Sequence, residues 1–134
     1  MSYIGNYTFS GCISLISIAI PKSVTWIGQY AFSNCTSLDV VYFEENSQLS
    51  SIGKGVFGWC SLLRDVTIES CVTSIDYQAF YLCTSLQYIN FKGTVEQWNT
   101  IEKGSDWNDN TDIYTIYCTD GEITKEGTIT YYEK

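Results

Sequence analysis

The stretch Ile27-Gly-Gln-Tyr-Ala-Phe-Ser-Asn-Cys-Thr-Ser-Leu38 decides the fold, because the chain repeats its pattern at three other places. The other copies begin at Ile4, Ile52 and Ile75. The phenylalanines of the four copies follow one another at intervals of 23, 25 and 23 residues. A fixed period of this length predicts a solenoid, in which one short unit stacks on copies of itself.

Six apolar columns stay in phase through the four copies. They are Ile4, Ile27, Ile52 and Ile75; Phe9, Phe32, Phe57 and Phe80; Cys12, Cys35, Cys60 and Cys83; Leu15, Leu38, Leu63 and Leu86; Ile18, Val41, Val66 and Ile89; and Ile20, Phe43, Ile68 and Phe91. The last two columns are two residues apart, which is the period of a strand. The Ala-Phe-x-x-Cys part has the spacing of one or two tight helical turns. Gly5, Gly28 and Gly53 mark a bend that needs either a positive φ or a close backbone approach.

With the joining segment Ile20-Pro-Lys-Ser-Val-Thr-Trp-Ile27, these copies resemble the BspA-like (Treponema-type) leucine-rich repeat over residues 4 to about 93. The resemblance implies a right-handed leucine-rich repeat solenoid of about four coils of 23–25 residues. It also implies a parallel β-sheet on one face, with short helical turns on the other. Family members act in adhesion and protein binding, usually as large cell-surface proteins.

Residues 92–98, 104–107 and 118–121 look like the C-terminal closing element of bacterial members of this family. The periodicity also breaks there, so we divide the chain into leucine-rich repeats at 1–93 and a C-terminal capping segment at 94–134.

The sequence of the capping segment predicts a helix followed by a β-hairpin. Thr94-Val-Glu-Gln97 fits a capping box at the start of a helix, and Lys103-Gly104 predicts its end. Residues 113–118 predict a strand, and Asp120-Gly121 favours a hairpin after it. We expect the helix and the hairpin to cover the open end of the solenoid.

Composition limits the classes of function. The 134 residues carry a net charge of -8 and no histidine. The acidic balance argues against nucleic acid as a partner and suits solubility, a basic partner or mimicry of a nucleic acid. The lack of histidine removes the commonest general base and metal ligand. No serine or threonine stands in a recognisable relation to a base, so we predict no catalytic site, no metal and no cofactor.

Two groups of possible metal ligands have plainer interpretations. The four column cysteines lack paired C-x₂-C spacing, so we expect small buried thiols rather than a zinc site. Cys71 and Cys118 lie off the column, and the sequence leaves their pairing open. Asp106-Trp-Asn-Asp-Asn-Thr-Asp112 places oxygens as a calcium loop does, but Thr111 and Tyr117 stand where that loop needs glycine and glutamate. We expect a polar turn that links the helix of the capping segment to its strand.

Alternation leaves two outward positions on each long strand. These are Ser17 and Ala19, Val40 and Tyr42, Asp65 and Thr67, and Tyr88 and Asn90. We predict that Tyr42, Asp65 and Tyr88 anchor a partner, because tyrosine buries a large area at low entropic cost. Val40, Thr67 and Asn90 complete the predicted partner-binding face. The alternative is that these residues are simply β-formers. A second aromatic surface is expected from Tyr30, Trp26, Trp59 and Tyr81.

Two functions remain open at this point. The first is a non-catalytic protein-binding module, used in adhesion or cell-surface interaction through the sheet face. The alternative is a small free-standing intracellular protein that binds and inhibits another protein, of a phage or defence type.

The uncapped N-terminal coil also predicts possible end-to-end self-association. We expect a cell-surface or secreted location for a fragment of a longer protein, and a cytoplasmic one if Met1 is the true start. No apolar stretch of about 20 residues predicts membrane insertion.

Overall fold

The computed structural model of the chain describes residues 3–133. Each coil combines a two-residue strand, a run of turns and a longer strand. The strands are β1 (Tyr3–Ile4), β2 (Ser17–Ile20), β3 (Trp26–Ile27), β4 (Val40–Phe43), β5 (Ser51–Ile52), β6 (Asp65–Ile68), β7 (Ser74–Ile75), β8 (Tyr88–Phe91), β9 (Glu102–Lys103), β10 (Thr115–Tyr117), β11 (Gly121–Thr124) and β12 (Ile129–Tyr131). The helix α1 (Val95–Thr100) lies between β8 and β9.

The long strands form one seven-stranded sheet with the order β12-β11-β10-β8-β6-β4-β2. The pairs β2–β4, β4–β6, β6–β8 and β8–β10 are parallel, whereas β11 and β12 are added in antiparallel fashion. The short strands pair in parallel as β1–β3 and as β5–β7–β9. This architecture confirms the predicted leucine-rich repeat solenoid with a parallel sheet on one face.

The phenylalanine column forms a continuous stack through the core. Neighbouring rings from Phe9 to Phe80 lie 5.2, 5.7 and 5.5 Å apart between centroids, with their planes within 19° of parallel. Phe32, Phe57 and Phe80 are fully buried. Burial of one such side chain contributes roughly 1.5–3 kcal/mol, so a coil gains most of its stability from its neighbours.

The cysteine column lies beside this stack as free thiols, of which Cys35, Cys60 and Cys83 are buried and Cys12 is partly buried. Each of the three buried thiols donates to the carbonyl oxygen of the phenylalanine in the preceding coil. The pairs are Cys35 Sγ to Phe9 O at 3.2 Å, Cys60 Sγ to Phe32 O at 3.2 Å and Cys83 Sγ to Phe57 O at 3.1 Å. Cys71 and Cys118 are also free, which settles the pairing that the sequence left open. The column therefore joins the coils by hydrogen bonds as well as by packing.

The runs expected to be helical turns are successive β-turns instead. Each run holds two residues with a left-handed backbone, four positions apart: Tyr7 and Gly11, Tyr30 and Asn34, Gly55 and Trp59, Gln78 and Leu82, and Asp106 and Asn110. A left-handed residue interrupts a right-handed helix. Alternate N–H groups therefore donate to the next coil, as Phe57 N does to Ala79 O at 2.9 Å.

The glycines before these runs permit close approach of neighbouring coils. Gly5, Gly28 and Gly53 are not among the residues with positive φ, so that part of the expectation is wrong. A Cβ atom on Gly28 would lie 2.7 Å from the carbonyl carbon of Gly5. Gly104 is similar, because its Cβ would lie 2.9 Å from the carbonyl carbon of Asp76.

The chain forms about five turns rather than the four expected from the sequence. Lys103 pairs beside Ile75, and Ile116 on β10 pairs beside Ile89, so the stack continues in parallel. The segment 106–112 is the turn run of this fifth coil, and does not simply link the helix to a strand. Trp107 covers Phe80 at 6.3 Å in place of a fifth phenylalanine.

The helix α1 begins with the predicted capping box. Gln97 N donates to Thr94 Oγ1 at 3.1 Å, and Thr94 N donates to Gln97 Oε1 at 2.8 Å. The helix ends at Thr100, earlier than predicted, because Glu102 and Lys103 form β9 beside β7. The Lys103 ammonium group then donates to two carbonyl oxygens at the end of the helix, at 3.0 and 3.1 Å.

The predicted hairpin is present as β10 and β11, and β12 extends it by a third strand. Helix and hairpin are joined at the end of the stack, where Val95 N donates to Asp120 Oδ1 at 2.9 Å. The division of the chain into repeats and a capping segment at residue 93 stays a prediction, although the sheet runs across that point.

Candidate protein-binding face

Alternation along the long strands separates a buried face of the sheet from an open one. Val41, Val66 and Ile89 are fully buried in the core. The residues on either side of each point away from the core and are partly or fully exposed. Hydrophobic packing therefore fixes which side chains the sheet presents to solvent.

The six residues predicted for partner binding lie together on this open face. The pairing of β4, β6 and β8 aligns Val40, Asp65 and Tyr88 in one row and Tyr42, Thr67 and Asn90 in the next. Tyr42 is 48% exposed and Tyr88 is 39% exposed. The structure thus brings the six side chains to one surface, while their role in binding stays a prediction.

Contacts within the open face hold some of its side chains in place. Asn90 Nδ2 donates to Asp65 Oδ1 at 2.8 Å. The ring of Tyr88 lies 6.2 Å from that of Tyr117, which β10 adds to the same face. Sequence reasoning missed Tyr117 because it assigned residues 113–118 to a covering hairpin rather than to the parallel sheet.

A third row of outward residues follows the ends of the strands. The row consists of Glu44, which directly follows β4, Glu69, which follows β6, and Lys92, which follows β8. Backbone hydrogen bonds between neighbouring strands extend to this row. Glu44 N donates to Ile20 O, and Lys92 N donates to Ile68 O, both at 2.9 Å. Carrying the alternation two residues further along the sequence would have found this row.

Residues from all three rows line a groove of about 540 Å³ at this end of the sheet. Val40 and Tyr42 contribute its apolar and aromatic lining. The charged side chains that line it are Glu44, Glu45, Asp65, Glu69 and Lys92. Four carboxylates against one ammonium group give the groove a formal charge of -3, so its chemistry favours cationic groups.

The predicted second aromatic surface has rings that contact one another between coils, as an aromatic ladder, and its role as a surface stays a prediction. Tyr7 and Tyr30 stack at 5.3 Å, Tyr30 and Trp59 lie 6.5 Å apart, and Trp59 meets Tyr81 at 5.3 Å. Trp26 is separate from the ladder and contacts Tyr3 at 6.1 Å. Because the rings contact one another, the ladder mainly joins neighbouring coils.

A family model described as a BspA type leucine rich repeat region, in six copies, matches residues 1–120. The chain belongs to the BspA-type leucine-rich repeat family. Leucine-rich repeat domains typically mediate protein interaction, and their solenoid fold is typically non-catalytic. The open sheet face is thus the surface of a BspA-type repeat protein.

Among solved structures, the chain is similar to a leucine rich cell surface protein from Faecalibacterium prausnitzii. The identity is 20% and the TM-score is 0.44. The match covers 100% of this chain and 50% of that protein, so this BspA-type chain spans half the length of its structural relative. No curated protein matches the chain.

Several groups with altered pKa values in this BspA-type chain lie outside the open face. Burial raises the pKa of the Cys83 thiol to about 12 and that of the Cys118 thiol to about 11. Burial lowers the pKa of Lys103. In the fifth turn, the hydrogen bond that protonated Asp106 donates to the Asp109 carboxylate raises the pKa of Asp106. Their positions in the core and in a turn indicate packing rather than catalysis.

Residues 3–133 contain neither a cluster of metal ligands nor a helix that could span a membrane. Within that range, no three histidine, cysteine, aspartate or glutamate side chains are grouped so as to hold a metal ion. The same residues contain no helix of the length and apolar character needed to cross a bilayer.

Proposed function

We propose that this chain is a non-catalytic protein-binding module that contacts its partner through the open sheet face, in adhesion or another cell-surface interaction. The observation that carries the proposal is the exposure of Tyr42 and Tyr88 on the same face of one hydrogen-bonded sheet, on strands that β6 separates. Side chains on such a scaffold lose little conformational entropy when they bind. Large, half-exposed rings on rigid strands are therefore suited to anchoring a partner.

The net charge of -8 favours a second candidate, an intracellular inhibitor that covers a basic surface of another protein. The two candidates use the same face and differ in the partner. Capture of surface or matrix proteins supports the adhesion role, whereas capture of one cytosolic protein supports the inhibitor.

The binding role predicts that a Tyr42→Ala/Asp65→Ala/Tyr88→Ala variant loses its partner while it keeps its fold. Immobilised wild type and variant would be exposed to lysates and to extracellular material, and bound proteins quantified by mass spectrometry. Loss of one anchor residue typically weakens binding about tenfold or more, so three together should abolish capture.

A Tyr3→Ala/Asp112→Ala/Tyr131→Ala variant is the matched control. It removes the same residue types from exposed positions away from the open face. Equal capture by both variants would refute binding through the sheet face. Both should melt close to wild type, because none of the substituted tyrosines is buried, although the sheet-face variant also loses the hydrogen bond from Asn90 to Asp65.

Self-association through the N-terminal coil is a further part of the proposal. Phe9 is 37% exposed, whereas Phe32, Phe57 and Phe80 are fully buried. Among residues 3–133, β2 is the edge strand of its sheet, and an edge strand can pair with a strand of a second copy. Sedimentation velocity tests this contact, since a monomer at high protein concentration would refute it. The open sheet face stays free in such a dimer.

A further inference from the structure

We propose that the groove at the end of the sheet receives an arginine or lysine side chain from an extended basic segment of the partner. This inference rests on the proposed binding through the sheet face and adds the chemistry of the occupant. It depends on the shape of the groove, its aromatic lining and its charge taken together.

The groove matches the two parts of a long basic side chain. The half-exposed ring of Tyr42 and the side chain of Val40 offer apolar contact to a methylene or guanidinium group. Glu44 and Glu69 stand at the same end of the groove, one row further along the strands. A cation against an aromatic ring gains attraction from the ring, and nearby carboxylates add to it.

This groove is more acidic than three others on the described residues, one of which, of about 330 Å³, is lined by Asp76, Glu102 and Lys103 and has a formal charge of -1. A groove of about 420 Å³ beside Trp26 is lined by one cation and one anion, Lys54 and Asp76. A groove of about 580 Å³ at the other end of the long strands holds Asp39 and Arg64, which form an ion pair at 3.1 Å. The groove at Glu44 and Glu69 instead has a formal charge of -3, and therefore favours a basic occupant.

The partner segment is expected to lie across the strands rather than along one of them. The groove is lined by residues from β4, β6 and the residue that follows β8. Lys92 lies at its far side and repels a cation there. The positive side chain should therefore lie between β4 and β6.

The probe is an acetylated, amidated peptide of alternating glycine and arginine, titrated into ¹⁵N-labelled protein and followed by NMR. We expect saturable shifts at the amides of residues 42–45 and 65–69. The affinity should fall on adding salt, because the Debye length is about 10 Å at 0.1 M ionic strength. A peptide with glutamate in place of arginine should produce no shifts there.

Charge variants give the sharper test. Glu44→Gln/Glu69→Gln should weaken arginine-peptide binding by about fivefold to twentyfold, whereas Lys92→Gln should strengthen it by about twofold or more. Glu96→Gln/Glu126→Gln removes the same charge from exposed positions elsewhere and should leave the affinity unchanged. Tyr42→Phe should retain binding and Tyr42→Ala should weaken it.

Equal weakening by the two glutamine double variants would overturn the proposal, because it would indicate attraction to the acidic surface as a whole. Shifts confined to another region, or no shifts, would also overturn it. If the peptide fails while the Tyr42/Asp65/Tyr88 variant still loses its captured partner, the sheet face is correct and the basic occupant is wrong. If both fail, the binding face itself is wrong.

Discussion

Replacing Phe57 with alanine is expected to lower the free energy of unfolding by about 3–5 kcal/mol. The Phe57 ring is fully buried and stacks on Phe32 at 5.7 Å and on Phe80 at 5.5 Å. Its removal leaves a cavity between two coils and ends the continuous stack. A protein of this size has a total stability of about 5–15 kcal/mol, so the effect should be large in urea denaturation. Phe32→Ala should behave similarly.

Phe9→Ala is the matched control for this prediction. Phe9 stacks on Phe32 at 5.2 Å but is 37% exposed and lies in the first coil. Its replacement by alanine should lower the free energy of unfolding by about 1–2 kcal/mol, because folding removes less of the Phe9 side chain from water. A Phe57→Ala variant that unfolds at the wild-type urea concentration would contradict the column assignment.

The stability should also fall above pH 9, because the buried thiols of Cys60 and Cys83 both have raised pKa values, and Cys83 gives the contribution that can be tested. Burial raises its pKa from the ordinary value of 9.0 to about 12. Between these values the unfolded chain releases the proton and the folded chain keeps it, so rising pH favours unfolding. The free energy of unfolding should fall by about 1.4 kcal/mol per pH unit, which amounts to about 2 kcal/mol at pH 10.5. Urea denaturation at pH 8 and 10.5 measures it.

Cys83→Ala separates this thiol from the other groups that ionise at high pH. The variant should be less stable than wild type at pH 8, since it loses packing and the hydrogen bond to Phe57 O. Its stability should nevertheless fall less between pH 8 and 10.5, by about 2 kcal/mol. Cys118, Tyr114 and Tyr132, whose pKa values are also raised, are present in both proteins, so their contributions cancel in the comparison. Equal pH dependence of the two proteins would contradict the burial of Cys83 as a neutral thiol.

The sequence predicted the stacked core because apolar side chains had to recur at one spacing to bury one another. The fifth turn was missed because its backbone follows the same path as the other coils, whereas its side chains do not repeat the apolar pattern. Lys103 stands beside Ile75, and a tryptophan covers Phe80. Gly104 was the available signal, since it allows the same close approach between coils as Gly28.

The turn runs could not be distinguished from helical turns by apolar spacing alone. Both place Phe32 and Cys35 on the inside, and the difference lies in the backbone of Tyr30 and Asn34. Tyrosine gives no sequence signal for a left-handed backbone, although asparagine gives a weak one. The contacts between coils impose this conformation, and they are not local in sequence.

The candidate site was predictable in part. Alternation placed Tyr42, Asp65 and Tyr88 on one face, because a side chain on a strand must face either the core or solvent. The acidic row at Glu44 and Glu69 was missed because the strands were taken to end before it. The identity of the partner depends on a second molecule, so the pattern of buried residues in this chain does not reveal it.

Hydroxyl-radical footprinting of the captured complex tests the central claim, binding through the open sheet face, most directly. Tyr42 and Tyr88 on this face, and Tyr3 and Trp26 away from it, are all at least 39% exposed, so each should be oxidised in the free protein. With the partner bound, the account predicts protection of Tyr42 and Tyr88 and unchanged oxidation of Tyr3 and Trp26. Protection of Tyr3 and Trp26, with Tyr42 and Tyr88 oxidised as in the free chain, would contradict it.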